Sequence, residues 1–165
     1  MTNPAFRTSL GIRHLVCGSC NGCEHEMNAL SNAYYDITRD GWSLVASPRH
    51  ADVVTVTGPM TAAMRSAAAE TVEAVPAPRV IVAIGDCAAG AGPWAEAPAA
   101  GEGAGVDLGA AIFVYGCPPT PDAIRAGLEA AGDVLSRGDE PARSVQIGTP
   151  AWPAAAADPE ATSSI

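Results

Sequence analysis

The sequence alternates strand-like apolar runs with helical stripes, and this alternation limits the possible folds more than any other feature. Four runs rich in β-branched or other apolar residues predict buried strands, at residues 11–16, 51–57, 79–84 and 110–115. Apolar residues at helical spacing predict helices over residues 24–34 and 60–75 and from Pro121 to Arg137. Strands that alternate with helices form mainly parallel sheets with right-handed crossovers. We therefore predict a flavodoxin-like α/β fold, with a mainly parallel sheet flanked by helices.

Three of the four predicted strands lead into loops that together contain all five cysteines of the chain. The first strand is followed by Cys17, Cys20 and Cys23, the third by Cys87 and the fourth by Cys117. In parallel α/β sheets, ligands bind beyond the carboxyl ends of the strands. We therefore expect cysteines that are far apart in the sequence to meet at one edge of the sheet and to bind a metal centre there.

The cysteine pattern favours a metal centre over disulfides. Five is an odd number, and the N-terminus has neither a long apolar segment nor a twin arginine, so we expect a cytosolic chain with reduced thiols. Iron–sulfur clusters and structural zinc both take thiolate ligands, usually four. Cys87 and Cys117 are single and lie beside glycines, not in a second CxxC pair, which favours a cluster over zinc. Either Cys17 or Cys20 could be the fifth cysteine that binds no metal.

Composition and charge limit the classes of partner. The net charge of −9 argues against nucleic acid, and the absence of a run of about 18 apolar residues predicts no membrane span. Residues 1–137 are predicted to form one α/β domain, which includes a long loop over residues 88–109. The sequence after Arg137 is rich in Ala and Pro and has no clear period. We predict an extended C-terminal tail over residues 138–165.

Four short motifs follow the predicted strands in order: Cys20-Asn-Gly-Cys23-Glu-His-Glu26, Thr57-Gly58-Pro59, Gly85-Asp86-Cys87-Ala88 and Gly116-Cys117-Pro118-Pro119. Together they resemble the small subunit of membrane-bound, energy-converting [NiFe] hydrogenases, a family related to the 20 kDa iron–sulfur subunit of respiratory complex I. The resemblance implies one [4Fe-4S] cluster, with Cys17 as a non-ligand. The implied ligands are Cys20, Cys23, Cys87 and Cys117. Glu26 matches a glutamate that the family carries near its subunit interface, which implies a proton relay; alternatively, it is a first-turn carboxylate of the predicted helix.

The same resemblance implies an electron-transfer subunit of an oxidoreductase complex, with no activity in the isolated chain. Its implied partners are a large catalytic subunit of the Ni–Fe type or derived from it, a ferredoxin-like iron–sulfur subunit, and membrane subunits. We expect these partners to hold the chain at the inner, cytoplasmic face of the cell membrane. Complex I subunits have adjacent cysteines where this chain has Cys20-x-x-Cys23, so the hydrogenase-like form is favoured. Two alternatives remain: a complex I-like subunit that passes electrons to a quinone or another acceptor, and a zinc-bound scaffold protein.

Overall fold

The computed structural model describes residues 3–95, 97–138 and 144–152. These ranges contain six strands: Leu10–Val16 (β1), Trp42–Leu44 (β2), Val53–Thr57 (β3), Val80–Ile84 (β4), Ile112–Val114 (β5) and Val145–Ile147 (β6). The six form one sheet in the order β2-β1-β3-β4-β5-β6, and all neighbouring strands are parallel. The predicted α/β fold with a parallel sheet is therefore confirmed.

Helices cover both faces of the sheet. The α-helices are Gly22–Ala29 (α1), Ala62–Glu73 (α2), Ala104–Asp107 (α3) and Pro121–Arg137 (α4), and short 3-10 helices occur at Pro4–Arg7, Ile37–Asp40 and Pro48–His50. Residues of α1 and α4 share one apolar cluster with the sheet, whereas residues of α2 and α3 share the other. None of the helices in the described ranges is long and apolar enough to cross a membrane.

Helix α4 supplies much of the core on its face of the sheet. Its Ile124 and Leu128 are completely buried in one cluster with Val82 and Val114. Burial of each such side chain contributes about 1.5–3 kcal/mol. Gly127 lets the helix come close to the sheet, because a β-carbon at this position would lie 2.5 Å from Cγ2 of Val114. The helix begins as predicted, since Oγ1 of Thr120 accepts the N–H of Ala123 at 3.3 Å.

All four predicted strands are present, but the sheet has two more. Strands β2 and β6 contain three residues each and are the two outermost strands of the sheet. Strand β5 also has three residues, but it lies within the apolar run of residues 110–115. Strands β2 and β6 lie in no such run, and their pairing with β1 and β5 defines them. Strand β6 falls in the stretch that we predicted as an extended tail. Residues 139–143 and 153–165 of that stretch lie outside the described residues.

Helix α1 ends at Ala29, five residues before the predicted end at residue 34. The chain turns away because Oδ1 of Asn32 accepts the N–H groups of Tyr34 and Tyr35, at 2.8 and 3.0 Å. An asparagine side chain that binds nearby backbone in this way competes with helical hydrogen bonds. The apolar spacing that suggested a longer helix therefore continues into a turn.

The long loop predicted over residues 88–109 packs against α2 and contains α3. The N–H of Gly101 donates to the carbonyl of Met60 at 2.8 Å. Nη1 of Arg65 lies 3.2 Å from Oδ2 of Asp107, which joins α2 to α3. These contacts fix the loop that follows Cys87.

Candidate metal centre

The carboxyl ends of β1, β4 and β5 bring the cysteine loops together at one edge of the sheet. The N–H of Gly85 donates to the carbonyl of Val114 at 2.8 Å, and that of Asp86 donates to the carbonyl of Gly116 at 3.0 Å. These bonds extend the pairing of β4 and β5 beyond the strands. The loops that carry Cys87 and Cys117 therefore leave the sheet side by side, as the parallel fold requires.

Glycines provide the contacts between these loops and the CxxC segment. A β-carbon on Gly85 would lie 2.5 Å from Sγ of Cys23 and 3.5 Å from the carbonyl oxygen of Gly116. A β-carbon on Gly22 would lie 3.6 Å from Sγ of Cys20 and 3.9 Å from Cβ of Pro118. Cys23 thus lies over the start of the Cys87 loop, and the backbone beside Cys20 lies against the Cys117 loop.

A third glycine leaves space beside Cys87. A β-carbon on Gly92 would lie 2.5 Å from Sγ of Cys87 and 2.9 Å from its Cα. Three loops therefore converge at the carboxyl ends of the strands, where glycines leave the backbone uncovered by side chains. These loops carry the four predicted ligands, Cys20, Cys23, Cys87 and Cys117. Such a cradle and a set of four thiols suit a bulky iron–sulfur cluster.

The two inner cysteines have raised pKa values. Burial raises the pKa of Cys23 to about 12, and the charges of Glu24, Cys87, Cys117 and Cys20 add to this effect. Burial also raises the pKa of Cys87 to about 11, with further contributions from Cys117, Cys20 and Asp86. Cys20 and Cys117 are exposed. The thiols are thus close enough to disfavour each other's thiolate forms, and bound metal cations would remove that repulsion.

Cys17 has a different environment. It is completely buried in the apolar cluster on the α2 face of the sheet, and this burial raises its pKa to about 11. Its N–H donates to the carbonyl of Thr57 at 2.9 Å, and its carbonyl accepts the N–H of Thr61 at 3.0 Å. This placement is that of a small apolar core residue, and it supports the prediction that Cys17 is not a ligand.

Glu24, which we did not single out from the sequence, is the buried glutamate of α1. It is 8% exposed and accepts hydrogen bonds from Oγ of Ser19 at 2.5 Å and from Oγ1 of Thr57. Burial opposes its ionisation, but the hydrogen bonds from Ser19 and Thr57 prevail and hold its pKa below the usual value. Glu24 thereby ties the CxxC segment to the end of β3. Glu26, the predicted proton relay, is only partly buried on the same helix.

His14 completes the polar contacts around Glu24. Its Nδ1 lies 2.9 Å from Oγ1 of Thr55, and its Nε2 lies 3.6 Å from Oε1 of Glu24. Burial lowers the pKa of His14, and the neighbouring charge of Glu24 opposes that effect only in part. A neutral imidazole beside a carboxylate is therefore the resting state of this pair near neutral pH.

Asp86 is the second buried carboxylate of the edge, and the sequence analysis attached no role to it. It is 1% exposed, and both of its oxygens accept backbone N–H groups, from Gly116 and from Ala151. The only signal in the sequence is its position directly before Cys87. That position alone does not distinguish a buried acceptor from a solvated turn residue.

Within the described ranges, no group of three or more His, Cys, Asp or Glu side chains is arranged to hold a metal ion. A zinc ion would need four sulfurs converging at about 2.3 Å from one point. In a [4Fe-4S] cluster each thiolate binds a different iron atom, so the sulfurs stand further apart. The two kinds of centre therefore differ in how far apart their sulfur ligands stand.

The fold and this edge define a class of protein: a parallel α/β subunit that presents four cysteines from three loops at the carboxyl ends of its strands. Residues 20–131 match the family model of the NADH ubiquinone oxidoreductase 20 kDa subunit. The chain belongs to this family. The matched range includes all four predicted ligands, and the resemblance inferred from the four motifs is confirmed.

Curated relatives in this family are subunits of oxidoreductase complexes. The chain is 39% identical over 126 residues to a probable membrane-bound hydrogenase subunit of Pyrococcus furiosus, covering 76% of this chain and 75% of the relative. It is 36% identical to formate hydrogenlyase subunit 7 of Escherichia coli, covering 80% of this chain but about half (52%) of the relative. A subunit of the NADH-quinone oxidoreductase of Clostridium beijerinckii is 36% identical, with 64% of this chain and 63% of the relative covered.

Solved structures agree on the fold. A chain of the membrane-bound sulfane sulfur reductase, an archaeal respiratory membrane complex, superposes with a TM-score of 0.68 at 28% identity, covering 82% of this chain and 75% of that chain. A chain of the Ni-Fe-Se hydrogenase of Desulfomicrobium baculatum superposes with a TM-score of 0.60 at 18% identity, covering 81% of this chain and 66% of that chain. The latter likeness establishes the shared architecture alone.

Proposed function

We propose that this chain is an electron-transfer subunit with one [4Fe-4S] cluster on Cys20, Cys23, Cys87 and Cys117. The observation that carries the proposal is the meeting of these four thiols, from three loops, on a glycine-lined edge of the sheet. When bound, such a cluster accepts and donates one electron at a time. The chain's own contribution is to hold the thiols, to shield Cys23 and Cys87 from water and to set the charge around them.

A bound cluster would compensate the negative charge that the four thiols acquire as ligands. Four thiolates this close together repel each other, and burial makes the charge on Cys23 and Cys87 more costly still. Bound iron cations would supply positive charge that offsets this repulsion. Metal binding would then contribute to the folding free energy of the edge.

We propose that the partners are a large catalytic subunit of the Ni–Fe type or derived from it, a ferredoxin-like iron–sulfur subunit and membrane subunits. The names of the Pyrococcus relative, a probable membrane-bound hydrogenase subunit, and of the Escherichia relative, a formate hydrogenlyase subunit, support a multi-subunit, membrane-associated complex. The position at the inner face of the cell membrane is part of the same proposal. Trp94 and Trp152 are about half exposed, at 54% and 47%, in segments joined to the Cys87 loop. Large aromatic residues at that position suit a subunit interface.

A second candidate, a complex I-like subunit that reduces a quinone or another acceptor, is supported by the NADH-quinone oxidoreductase relative. The two candidates differ in the large partner. If the copurifying large subunit lacks the two CxxC pairs that bind nickel, the hydrogenase function is excluded and the second candidate stands.

The deciding experiment is anaerobic analysis of iron and acid-labile sulfide in the copurified complex, with low-temperature EPR spectroscopy after dithionite reduction. About four iron and four sulfide atoms in this subunit, with an S = ½ signal, are expected. Comparison of the wild-type complex with one that contains Cys117→Ser assigns the signal to this chain. Zinc in place of iron would overturn the proposal and favour a scaffold protein.

A further inference from the structure

Asp86 joins three segments of the chain beside the proposed ligands. Its Oδ1 accepts the N–H of Gly116 at 2.6 Å, and its Oδ2 accepts the N–H of Ala151 at 2.7 Å. The side chain is 1% exposed, so solvent contributes little to these bonds. Asp86 thus connects its own loop, which carries Cys87, to the Cys117 loop and to the segment after β6.

The backbone of Asp86 strengthens the same connections. Its N–H donates to the carbonyl of Gly116 at 3.0 Å, and its carbonyl accepts the N–H of Ala91 at 2.8 Å. Backbone and side chain of one residue therefore bind both the N–H and the carbonyl of Gly116, the residue directly before Cys117. This double contact leaves little freedom in the spacing of Cys87 and Cys117.

On the basis of the proposed function, we propose that Asp86 is a positioning residue that holds the Cys87 and Cys117 loops and lowers the reduction potential of their cluster. Reduction adds negative charge, and a buried carboxylate next to a ligand opposes it more strongly than a solvated one would.

Asp52 offers a matched control. Its Oδ2 accepts the N–H of Gly11 at 2.8 Å, so it is also a carboxylate bound to a backbone donor. It directly precedes β3 and therefore lies at the amino end of the strands, on the edge opposite the cysteines. Like Asp86→Asn, Asp52→Asn removes one carboxylate charge and weakens a hydrogen bond from a backbone N–H. It does so far from the proposed cluster.

The test compares iron content and EPR-monitored redox titrations of the copurified complex containing wild-type chain, Asp86→Asn or Asp52→Asn. We expect Asp86→Asn to retain iron with a midpoint potential shifted to more positive values and altered EPR line shape. Asp52→Asn should match the wild type in both readouts. An Asp86→Asn complex with full iron content and wild-type potential would overturn the proposal. Absence of iron from the wild-type complex would instead overturn the proposed function.

Loss of iron in Asp86→Asn but not in Asp52→Asn would support the positioning role. The effect of the Asp86 charge on the reduction potential is then tested with a second variant, Ala151→Pro. Ala151→Pro removes the N–H that Oδ2 of Asp86 accepts and keeps the carboxylate. Its charge is then less compensated, so the midpoint potential should shift to more negative values, opposite to the shift in Asp86→Asn. An unchanged or more positive potential in Ala151→Pro would contradict the electrostatic role.

Discussion

Gly85 and Cys23 are in direct contact: a β-carbon on residue 85 would lie 2.5 Å from the sulfur of Cys23. Gly85 directly follows β4, with a left-handed φ of +89°, and its N–H continues the pairing with β5. The backbone that leads to Cys87 therefore forms the surface on which the Cys23 thiol lies. The two halves of the proposed ligand set, one from the CxxC segment and one from the β4 and β5 loops, meet at this contact.

Gly85→Ala should remove the cluster from an otherwise folded chain. The added methyl group would displace Cys23, and a left-handed backbone costs a non-glycine residue about 1–2 kcal/mol in addition. Gly109→Ala is the control, because Gly109 has a φ of +72° but a β-carbon there would have no neighbouring atom within 4 Å. Iron analysis should show loss only in Gly85→Ala, and equal iron in both variants would contradict the contact.

Replacement of single cysteines should separate ligands from the core residue. Cys87→Ser and Cys117→Ser should lose the cluster and weaken assembly, because metal binding stabilises such sites. Cys17→Ala should keep full iron content and lose about 1 kcal/mol of stability, since Cys17 fills space in the α2-side core. The measurements are iron content and thermal unfolding. Iron loss in Cys17→Ala would refute the ligand assignment.

His14 should make stability depend on pH in the mildly acidic range. Burial holds its folded-state pKa below the ordinary value of 6.5, so the unfolded chain binds a proton that the folded chain does not. The free energy of unfolding should therefore be highest above pH 6.5 and fall as the pH drops towards the folded-state pKa.

Urea unfolding of the wild type, His14→Gln and His50→Gln between about pH 5 and 8 measures this dependence. His50 is exposed and serves as the control. His14→Gln should flatten the pH profile while His50→Gln leaves it unchanged. A profile with the same slope in wild type and His14→Gln would refute the contribution of His14.

Glu26→Gln should retain the cluster and slow proton-coupled turnover of the complex by about tenfold or more, if Glu26 relays protons. Glu73→Gln, on the exposed side of α2, is the control for loss of one helical carboxylate. Turnover assays and EPR spectra of the two complexes provide the comparison. An unchanged rate in Glu26→Gln would show that Glu26 does not relay protons. The predicted alternative, a first-turn carboxylate, does not apply, because α1 begins at Gly22 and the acidic residue of its first turn is Glu24.

The convergence of the cysteines could be predicted because it depends on local patterns and on one general rule of topology. Apolar runs identified β1, β3, β4 and β5, and alternation with helices made the sheet parallel. Parallel strands place all their carboxyl ends at one edge. The three-residue strands β2 and β6 escaped prediction, because they exist through pairing with their neighbours and not through a pattern of their own.

The sequence by itself determined the parallel fold, the edge where the cysteines meet and the family of the chain. Only the tertiary structure decided which acidic side chains are buried there. Glu24 is buried through contact with Thr57, 33 residues away, and Asp86 through Gly116 and Ala151, 30 and 65 residues away. An acidic residue is stable in the interior only where donors from distant segments surround it. Local sequence does not encode that arrangement, and for this reason the sequence pointed to Glu26 and not to the buried Glu24 and Asp86.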